Sequence, residues 1–339
     1  MYKLFRPFLF LLPAEASHNL ALFSLSVFYK VGLLKLLGGS PKSDPVTVMG
    51  IEFPNKVGLA AGLDKNGKYI HALSKFGFGF IEVGTVTPLA QNGNRKPRLF
   101  RISKARAIIN RMGFNNKGID NLIENVNLAK DAGFNGVLGI NIGKNLDTDV
   151  ENAHDDYLIG LRQAYYYADY ITVNISSPNT PGLRGLQHGD DLDRLLSVIK
   201  AEQMSLSLKF KKYIPIAIKV APDLNNEQIK EVAESIIANN MDGLIASNTT
   251  LEKKSVTDLS RGSEVGGLSG EPLRDLSTRV IAEFHKYLTD QIPIIGVGGI
   301  ASAADAQAKL DAGASLVQVY SGLIYEGPGL IKRILKKLD

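Results

Sequence analysis

The stretch IIGVGGIASAADAQAKLDAGASLVQVYS, residues 294–321, contains the pattern that decides the fold. An apolar run at 294–297 leads through a glycine-rich turn into a helical pattern at 303–312, and a second apolar run follows at 316–319. Strands that are buried on both faces of a parallel sheet are near-continuous apolar runs of this kind. The stretch therefore predicts one strand–helix–strand unit of a parallel sheet.

The same alternation extends over most of the chain after Pro45. We predict eight strands, at residues 57–61, 80–84, 137–142, 171–175, 214–220, 243–247, 294–297 and 316–319. The helical patterns between them include residues 119–132, 190–208, 227–239, 273–287 and 303–312. Eight successive strand–helix units predict an α/β protein whose strands close into a (β/α)8 TIM barrel. A small strand pair at residues 46–53 is expected ahead of the first barrel strand.

Residues 1–40 have a different character, so we divide the chain into an N-terminal extension, 1–40, and a barrel domain, 41–339. Lys30 and Lys35 give the extension a basic margin before Gly-Gly-Ser-Pro at 38–41 ends its helical pattern. Two interpretations remain open: amphipathic helices that lie on a membrane surface, or a helical hairpin packed on the barrel. The helically spaced apolar residues are Leu4, Phe8, Leu11, Leu20, Phe23, Val27, Val31 and Leu34.

Composition excludes several classes of protein. Of the 339 residues 45% are hydrophobic and 22% are charged, which is typical of a folded globular chain. The absence of cysteine excludes disulfides, thiolate catalysis and cysteine-ligated metals, and the five histidines lack metal-ligand spacing. The net charge of +5 favours anionic partners without choosing among them. The apolar run at 8–12, between two prolines, is too short for a secretory signal, so we expect no cleaved leader.

Polar side chains follow nearly every predicted strand, and in a barrel all of these positions lie at one end. Their convergence predicts an enzyme active site. The glycines at 296–299 and the sequence 320–322 follow the last two strands, where barrels commonly bind a phosphate group through bare backbone N–H groups. Lys219 ends an apolar strand and requires an anionic partner, either a ligand or an internal carboxylate. Asparagines at strand ends suit a planar heterocycle with imide edges, namely Asn141, Asn174, Asn179 and Asn248.

Several motifs, in this order along the chain, resemble those of the dihydroorotate dehydrogenases. They are Ala-Ala-Gly-Leu-Asp-Lys-Asn-Gly at 60–67, Asn-Arg-Met-Gly-Phe-Asn-Asn at 110–116, Asn-Ile-Ser-Ser-Pro-Asn-Thr-Pro-Gly at 174–182, Asn-Thr-Thr at 248–250, Gly-Gly-Leu-Ser-Gly at 266–270 and Ile-Gly-Val-Gly-Gly-Ile at 295–300. The resemblance implies FMN as cofactor and oxidation of dihydroorotate to orotate in pyrimidine synthesis. Ser177 stands where the cytosolic branch of the family has a cysteine, and the extension is similar to that of the quinone-reducing branch. We therefore expect a peripheral protein on the cytoplasmic face of the inner membrane, if the source is bacterial, that reduces ubiquinone or menaquinone.

The resemblance also implies roles for individual residues. Ser177 would be the catalytic base, with Thr180 and Phe114 on the proton exit route. FMN would be held by Ala61, Thr85, Asn141, Asn174, Lys219, Ser247, Gly270, Gly299, Tyr320 and Ser321, where Ser247 replaces the threonine expected from the family. Substrate would be held by Lys65, Asn110, Arg111, Met112, Gly113, Phe114, Asn174, Asn179, Asn248 and Thr249. The quinone path would be lined by His18, Arg101 and Tyr320.

Other interpretations are kept alongside this one. On spacing alone Ser176 and Ser177 could be turn residues, because no histidine or acid stands in a triad-like position. Another FMN barrel enzyme, such as a dihydrouridine synthase, would need an RNA-binding face, and no basic run with interleaved aromatics is present. A barrel that binds a phosphate ligand without catalysis is the third alternative. Residues 179–189 are the expected mobile lid.

Overall fold

The computed structural model describes residues 2–34 and 44–338 of the chain. The predicted basic margin at Lys35, the helix stop at 38–41 and the boundary between the two domains lie outside the described residues.

Eight parallel strands close into a barrel, as predicted. In chain order the strands of the described residues are β1 Val46–Val48, β2 Ile51–Phe53, β3 Val57–Leu59, β4 Phe80–Val86, β5 Leu99–Ile102, β6 Ala107–Asn110, β7 Val137–Ile142, β8 Tyr170–Asn174, β9 Ile216–Val220, β10 Gly243–Ala246, β11 Gly267–Gly270, β12 Ile294–Val297 and β13 Ala314–Val319. Around the barrel the order is β10, β12, β13, β3, β4, β7, β8 and β9. All eight predicted barrel strands are therefore confirmed, with small differences at their ends.

Helices surround the barrel, and those after β3 pack around its strands, whereas α1 and α2 lie outside this layer. They are α1 Tyr2–Leu11, α2 Ala14–Lys30, α3 Ile70–Ser74, α4 Ile119–Asp131, α5 Ala153–Ala164, α6 Gly189–Phe210, α7 Asn226–Ala238, α8 Arg274–Leu288, α9 Ala303–Asp311, α10 Ser321–Glu326 and α11 Gly329–Leu338. α7 begins with a capping box in which the side chains of Asn225 and Gln228 exchange hydrogen bonds with backbone N–H groups. The five quoted helical patterns all correspond to helices.

The barrel interior changes in polarity along its axis. Near the N-terminal strand ends it is filled by apolar side chains that include Phe80, Ile245 and Leu316. The β1–β2 hairpin closes this end, because Phe53 packs edge-on against Phe80 with ring centroids 5.1 Å apart. The strand pair predicted at 46–53 is thereby confirmed, and the open end of the barrel is the one at the C-terminal strand ends.

A second sheet was not predicted. β5, β6 and β11 form a three-stranded antiparallel sheet in the order β11-β6-β5. The connection between the second and third barrel strands, for which the sequence predicted no strand, thus contains a hairpin that pairs with a segment more than 150 residues further on. The pairing places β6 and β11 over the mouth of the barrel, where Asn110 lies opposite Gly267.

The N-terminal helices combine features of both open interpretations. They pack on the barrel through polar contacts at their edges: the Tyr2 hydroxyl donates to the Ile324 carbonyl at 2.5 Å, Arg6 donates to the Tyr325 carbonyl at 2.8 Å, and Glu15 pairs with buried Arg98 at 2.7 Å. Their outer face is apolar and exposed, including Leu4, Phe5, Phe8, Leu11, Leu20, Phe23, Val27, Phe28, Val31 and Leu33. No helix in the described part of the chain is both long and apolar enough to cross a bilayer.

Candidate active site

A polar cavity occupies the mouth of the barrel, and most of the predicted site residues line it. Those of the predicted cofactor set are Ala61, Thr85, Asn174, Lys219, Ser247, Gly270, Gly299, Tyr320 and Ser321. Those of the predicted substrate and catalytic sets are Lys65, Asn110, Met112, Gly113, Phe114, Asn174, Ser177, Asn179, Asn248 and Thr249. The convergence inferred from the strand ends is thus observed, although the residues come from segments spread over more than 250 positions.

Three predicted residues lie outside the lining of this cavity. Asn141 lies behind it and accepts a 2.5 Å hydrogen bond from Thr85. Thr180 is buried next to Ser177, with 3.5 Å between the two hydroxyl oxygens. The Arg111 side chain points away, pairs with Glu264 at 2.9 Å and stacks over Phe100, so its guanidinium is not placed to hold a substrate.

A chain of hydrogen bonds runs along one wall of the cavity. Asn174 donates to the Thr85 hydroxyl at 2.9 Å, and Thr85 in turn donates to the side-chain carbonyl of Asn141. Asn248 continues the chain on the other side, donating to Asn174 at 3.4 Å and to Ser176 at 3.0 Å. The amides are therefore fixed in orientation, which is the condition for recognising a planar ring by its donor and acceptor edges.

Lys219 and Gln318 are buried in the floor of the cavity. Within the described residues no carboxylate lies within salt-bridge distance of Lys219, so the internal ion pair considered above is not formed. Burial lowers the pKa of Lys219, and the charge of Glu82 opposes that shift. The side-chain carbonyl oxygen of Gln318 has no hydrogen-bond partner. The floor thus offers one ammonium group and one free acceptor to whatever occupies the cavity.

Ser177 lies in the loop after β8 and is almost fully buried. Its hydroxyl oxygen accepts a hydrogen bond from the Asn179 backbone N–H at 3.2 Å and lies 3.5 Å from the donating hydroxyl of Thr180. Two donors directed at one oxygen favour its deprotonated form. The bond from the Asn179 N–H is also that of a serine turn, so both interpretations of Ser177 remain open.

The Ser177 loop is held by Arg184. This side chain donates to the Ser176 carbonyl at 3.2 Å and to the Thr249 carbonyl at 2.8 Å, and it pairs with Asp223 at 2.7 Å. The segment predicted as a mobile lid contains Arg184 and a short 3₁₀ turn, Leu183–Gln187. Its mobility remains a prediction.

Lys65 approaches the cavity from the loop after β3. Burial lowers its pKa to about 8, and the charge of Arg98 adds to the shift while Glu15 and Asp64 oppose it. Asp64 itself is turned away from the cavity, because its carboxylate accepts from the backbone N–H groups of Lys68 at 3.0 Å and Tyr69 at 2.6 Å. The ammonium group of Lys65 is therefore available to an anionic ligand.

The glycine turn after β12 closely approaches α8. At Gly299 φ is +74°, and a Cβ atom there would lie 2.4 Å from the backbone of Arg274. A larger residue is excluded at this position, and both Gly298 and Gly299 line the cavity where the sequence predicted a phosphate site.

A second cavity, of about 490 Å³, lies between the N-terminal helices and the barrel. Its lining is almost entirely apolar and includes Phe5, Phe8, Leu9, Leu22, Leu25 and Phe28. All three residues predicted for the quinone path, His18, Arg101 and Tyr320, belong to this lining. Burial and the charge of Lys65 together lower the pKa of His18 to about 4, against an opposing effect of Glu15, so His18 is neutral near pH 7.

Tyr320 lines both cavities and separates them. Burial raises its pKa to about 12, and its hydroxyl lies 3.4 Å from the Gly62 carbonyl. Arg101 holds the opposite wall: it donates to the carbonyls of Leu9 at 3.2 Å and Phe10 at 3.1 Å and lies over the Phe10 ring. A polar site and an apolar site therefore meet at one aromatic side chain.

Sequence analysis missed the polar residues inside the barrel, of which Glu82 and Gln318 are the clearest. Both are fully buried in otherwise apolar strands, in Ile-Glu-Val at 81–83 and Val-Gln-Val at 317–319. The available signal was a single polar residue within an apolar strand, because burying a polar group without a hydrogen-bond partner is energetically unfavourable. Arg184 was missed as well, and its sequence gives no comparable signal.

Comparison with known proteins assigns the family. The family model described as dihydroorotate dehydrogenase matches residues 45–339. A protein named dihydroorotate dehydrogenase (quinone) from Acinetobacter baylyi is 57% identical over 100% of this chain and 99% of its own length, and one from Idiomarina loihiensis is 56% identical over 100% of both. A crystal structure of the Eimeria tenella DHODH in complex with ferulenol has a TM-score of 0.86 and 37% identity, covering 96% of this chain and 90% of that one. The chain belongs to the dihydroorotate dehydrogenase family.

Proposed function

We propose that this chain oxidises dihydroorotate to orotate with FMN as cofactor and passes the electrons to a membrane quinone, ubiquinone or menaquinone. The observation that carries the proposal is the meeting of a polar and an apolar cavity at Tyr320. A polar heterocyclic acid fits the first cavity, and a long apolar acceptor fits the second.

The residues of the mouth cavity suit a flavin mononucleotide. The fixed amides and the free acceptor of Gln318 complement imide edges, the ammonium of Lys219 complements negative charge on the ring, and the turn at Gly298 and Gly299 suits the phosphate. When bound, the flavin accepts a hydride from one substrate and delivers two electrons to another. The residues proposed to hold it are Ala61, Thr85, Asn141, Asn174, Lys219, Ser247, Gly270, Gly299, Tyr320 and Ser321.

Ser177 is the proposed base that removes a proton from C5 of dihydroorotate. The donors at Asn179 and Thr180 stabilise the oxyanion of the serine, which compensates for its high intrinsic pKa. Thr180 and Phe114 form the route by which the proton leaves, and burial of the loop keeps bulk water from the reacting carbon.

The substrate carboxylate is assigned to Lys65, whose ammonium group is buried and has no ion pair within the described residues. Asn110, Asn179 and Asn248 hold the amide edges of the ring; Asn110 and Asn179 are already joined, with the Asn179 amide donating to the Asn110 carbonyl at 3.2 Å. Thr249 and the backbone at 112–114 complete the enclosure.

The N-terminal extension is proposed to rest on the cytoplasmic face of the inner membrane of a bacterium. Its exposed apolar face is wide, with Leu11 83%, Leu4 73% and Phe8 70% accessible, and such a face is stabilised when it is buried among lipid chains. The quinone would then enter the apolar cavity between α1 and α2 without crossing water and reach Tyr320 past His18 and Arg101.

An anaerobic absorption spectrum tests the whole proposal. Purified protein should be yellow, should bleach when dihydroorotate is added, and should recover its colour when a ubiquinone analogue follows. A yellow protein that dihydroorotate does not bleach would exclude this substrate and keep the flavin site. A colourless protein that takes up no FMN would overturn the proposal.

A further inference from the structure

A carboxylate is buried inside the barrel directly below the mouth cavity. Glu82 is fully buried at the middle of β4 and accepts three hydrogen bonds: from the Asn141 amide at 2.7 Å, from the Tyr170 hydroxyl at 2.9 Å and from the Gln318 amide at 2.8 Å. Every neighbour is a donor. Three donors therefore converge on the two carboxylate oxygens.

The carboxylate determines which way its neighbours face. Because it only accepts, Asn141 and Gln318 must both turn their NH2 groups toward it. Their carbonyl oxygens then point elsewhere: that of Asn141 accepts from Thr85, and that of Gln318 is left free in the cavity floor. Because the Thr85 hydroxyl donates its hydrogen to Asn141, it can only accept the hydrogen bond from the Asn174 amide. The order of donors and acceptors along the cavity wall is therefore set by the carboxylate of Glu82.

Glu82 also supplies the negative charge that acts on Lys219. Both side chains are buried, and the field of Glu82 partly offsets the effect of burial on the Lys219 pKa. Burial raises the pKa of Tyr170, and Glu82 adds to the shift, so Tyr170 stays a donor.

We infer that Glu82 is a positioning residue that fixes the donor and acceptor pattern of the flavin-binding wall, without touching substrate or cofactor. The inference rests on the proposed flavin site. An amide at position 82 has a donor of its own, which would face another donor unless Asn141 or Gln318 rotated. Rotation of Asn141 would propagate through Thr85 to Asn174 and exchange donors for acceptors along the cavity.

The test compares Glu82→Gln with Tyr170→Phe. Both remove one element of the same buried network, but Tyr170→Phe keeps the carboxylate and so keeps the amide orientation. We expect Glu82→Gln to raise the FMN dissociation constant about tenfold or more, because a mismatched buried hydrogen bond is costly. It should also shift the two-electron equilibrium of the flavin by about tenfold, about 30 mV, because donors along the wall are exchanged for acceptors. Tyr170→Phe should change both quantities less than about threefold, since the carboxylate that sets the wall polarity remains.

If Glu82→Gln has the FMN affinity and reduction potential of the wild type, the inference is overturned but the proposed function stands. The same holds if Glu82→Gln and Tyr170→Phe lose FMN affinity equally. Wild-type protein that takes up no FMN overturns the proposed function and this inference together. If Glu82→Gln does not fold, neutron diffraction of the deuterium-exchanged wild type decides. Deuterons on the Asn141 amide nitrogen facing Glu82, and none on the carboxylate, support the inference; a deuteron on Glu82 overturns it.

Discussion

The two cavities that meet at Tyr320 are built in different ways. The polar cavity is made from strand ends of a closed barrel, and its side chains are fixed by hydrogen bonds such as those of Asn174 and Thr85. The apolar cavity is made from two helices held at their edges by a few polar contacts, while its lining relies on shape and hydrophobicity. Single substitutions should therefore have large and specific effects in the first cavity and graded effects in the second.

The largest expected effect is in the polar cavity. Ser177→Ala removes the proposed base, so flavin reduction by dihydroorotate should slow by about 1000-fold, the usual range for a general base being about 10²–10⁴. Stopped-flow absorbance under anaerobic conditions measures the rate, and the FMN content of the variant should be unchanged. A rate within threefold of the wild type would remove Ser177 from this role.

The second-largest effect is expected at the exposed apolar face of α1 and α2. In Leu11→Asp/Phe23→Asp, two side chains that are 83% and 63% exposed and do not line the apolar cavity would lose the lipid contact proposed for them. At about 2 kcal/mol for each side chain, binding to vesicles should weaken by about 100-fold or more. Vesicle flotation measures it, and dihydroorotate-dependent reduction of a soluble dye should persist.

The matched control for that experiment is Met204→Asp/Leu208→Asp, at residues 46% and 79% exposed on α6. Because α6 packs against α5 and α7 rather than the N-terminal helices, vesicle binding should not change. Equal loss in the control and in Leu11→Asp/Phe23→Asp would mean that added negative charge, rather than the apolar face, explains the result.

A smaller effect is expected from pH. Since the pKa of Lys65 is lowered to about 8, its charge disappears as pH rises through that value, and orotate should bind about tenfold more weakly at pH 9 than in the plateau below pH 7. Lys65→Arg stays charged throughout and should abolish this dependence. Fluorescence or absorbance titration with orotate gives the dissociation constants; an unchanged pH profile in the arginine variant would assign the titration to another group.

The smallest effect concerns how α2 is held. Burial raises the pKa of Glu15, but hydrogen bonding and charge from Arg98 and Lys96 outweigh it and hold the pKa below its ordinary value. The stabilisation is therefore present above the ordinary pKa and is lost as pH falls through the lowered one. Glu15→Gln should increase amide exchange of α2 by about threefold to tenfold at pH 7, since a partly exposed hydrogen-bonded pair contributes about 0.7–1.4 kcal/mol. Exchange unaltered in α2 would show that the apolar contacts alone hold the helix.

The barrel could be predicted from the sequence because its strands are near-continuous apolar runs with polar residues after them. The predicted ends of the strands were less accurate. β9 begins at Ile216 rather than at residue 214, because Pro215 has no N–H to donate to a neighbouring strand, and β4 continues to Val86. The sheet of β5, β6 and β11 was missed because its strands are four residues long and pair across a large sequence separation. Such non-local pairing leaves no local pattern.

Part of the candidate site could likewise be identified from the sequence. Residues at strand ends were identified because the fold brings them together, whereas their roles came from the family resemblance. Glu82 and Arg184 were not, because their importance lies in contacts with residues 59 to 236 positions away for the first and up to 65 for the second. A sequence states which groups are present, but not which of them orient the others.

The bonds that fix α1 have a consequence for synthesis of the chain. Tyr2 and Arg6 donate to carbonyls of α10 that follow them by 322 and 319 positions. At ordinary translation rates that interval is on the order of tens of seconds. The exposed apolar helix α1 thus emerges from the ribosome long before α10, on which it docks, has been synthesised. A nearby bilayer would cover its apolar face during that interval.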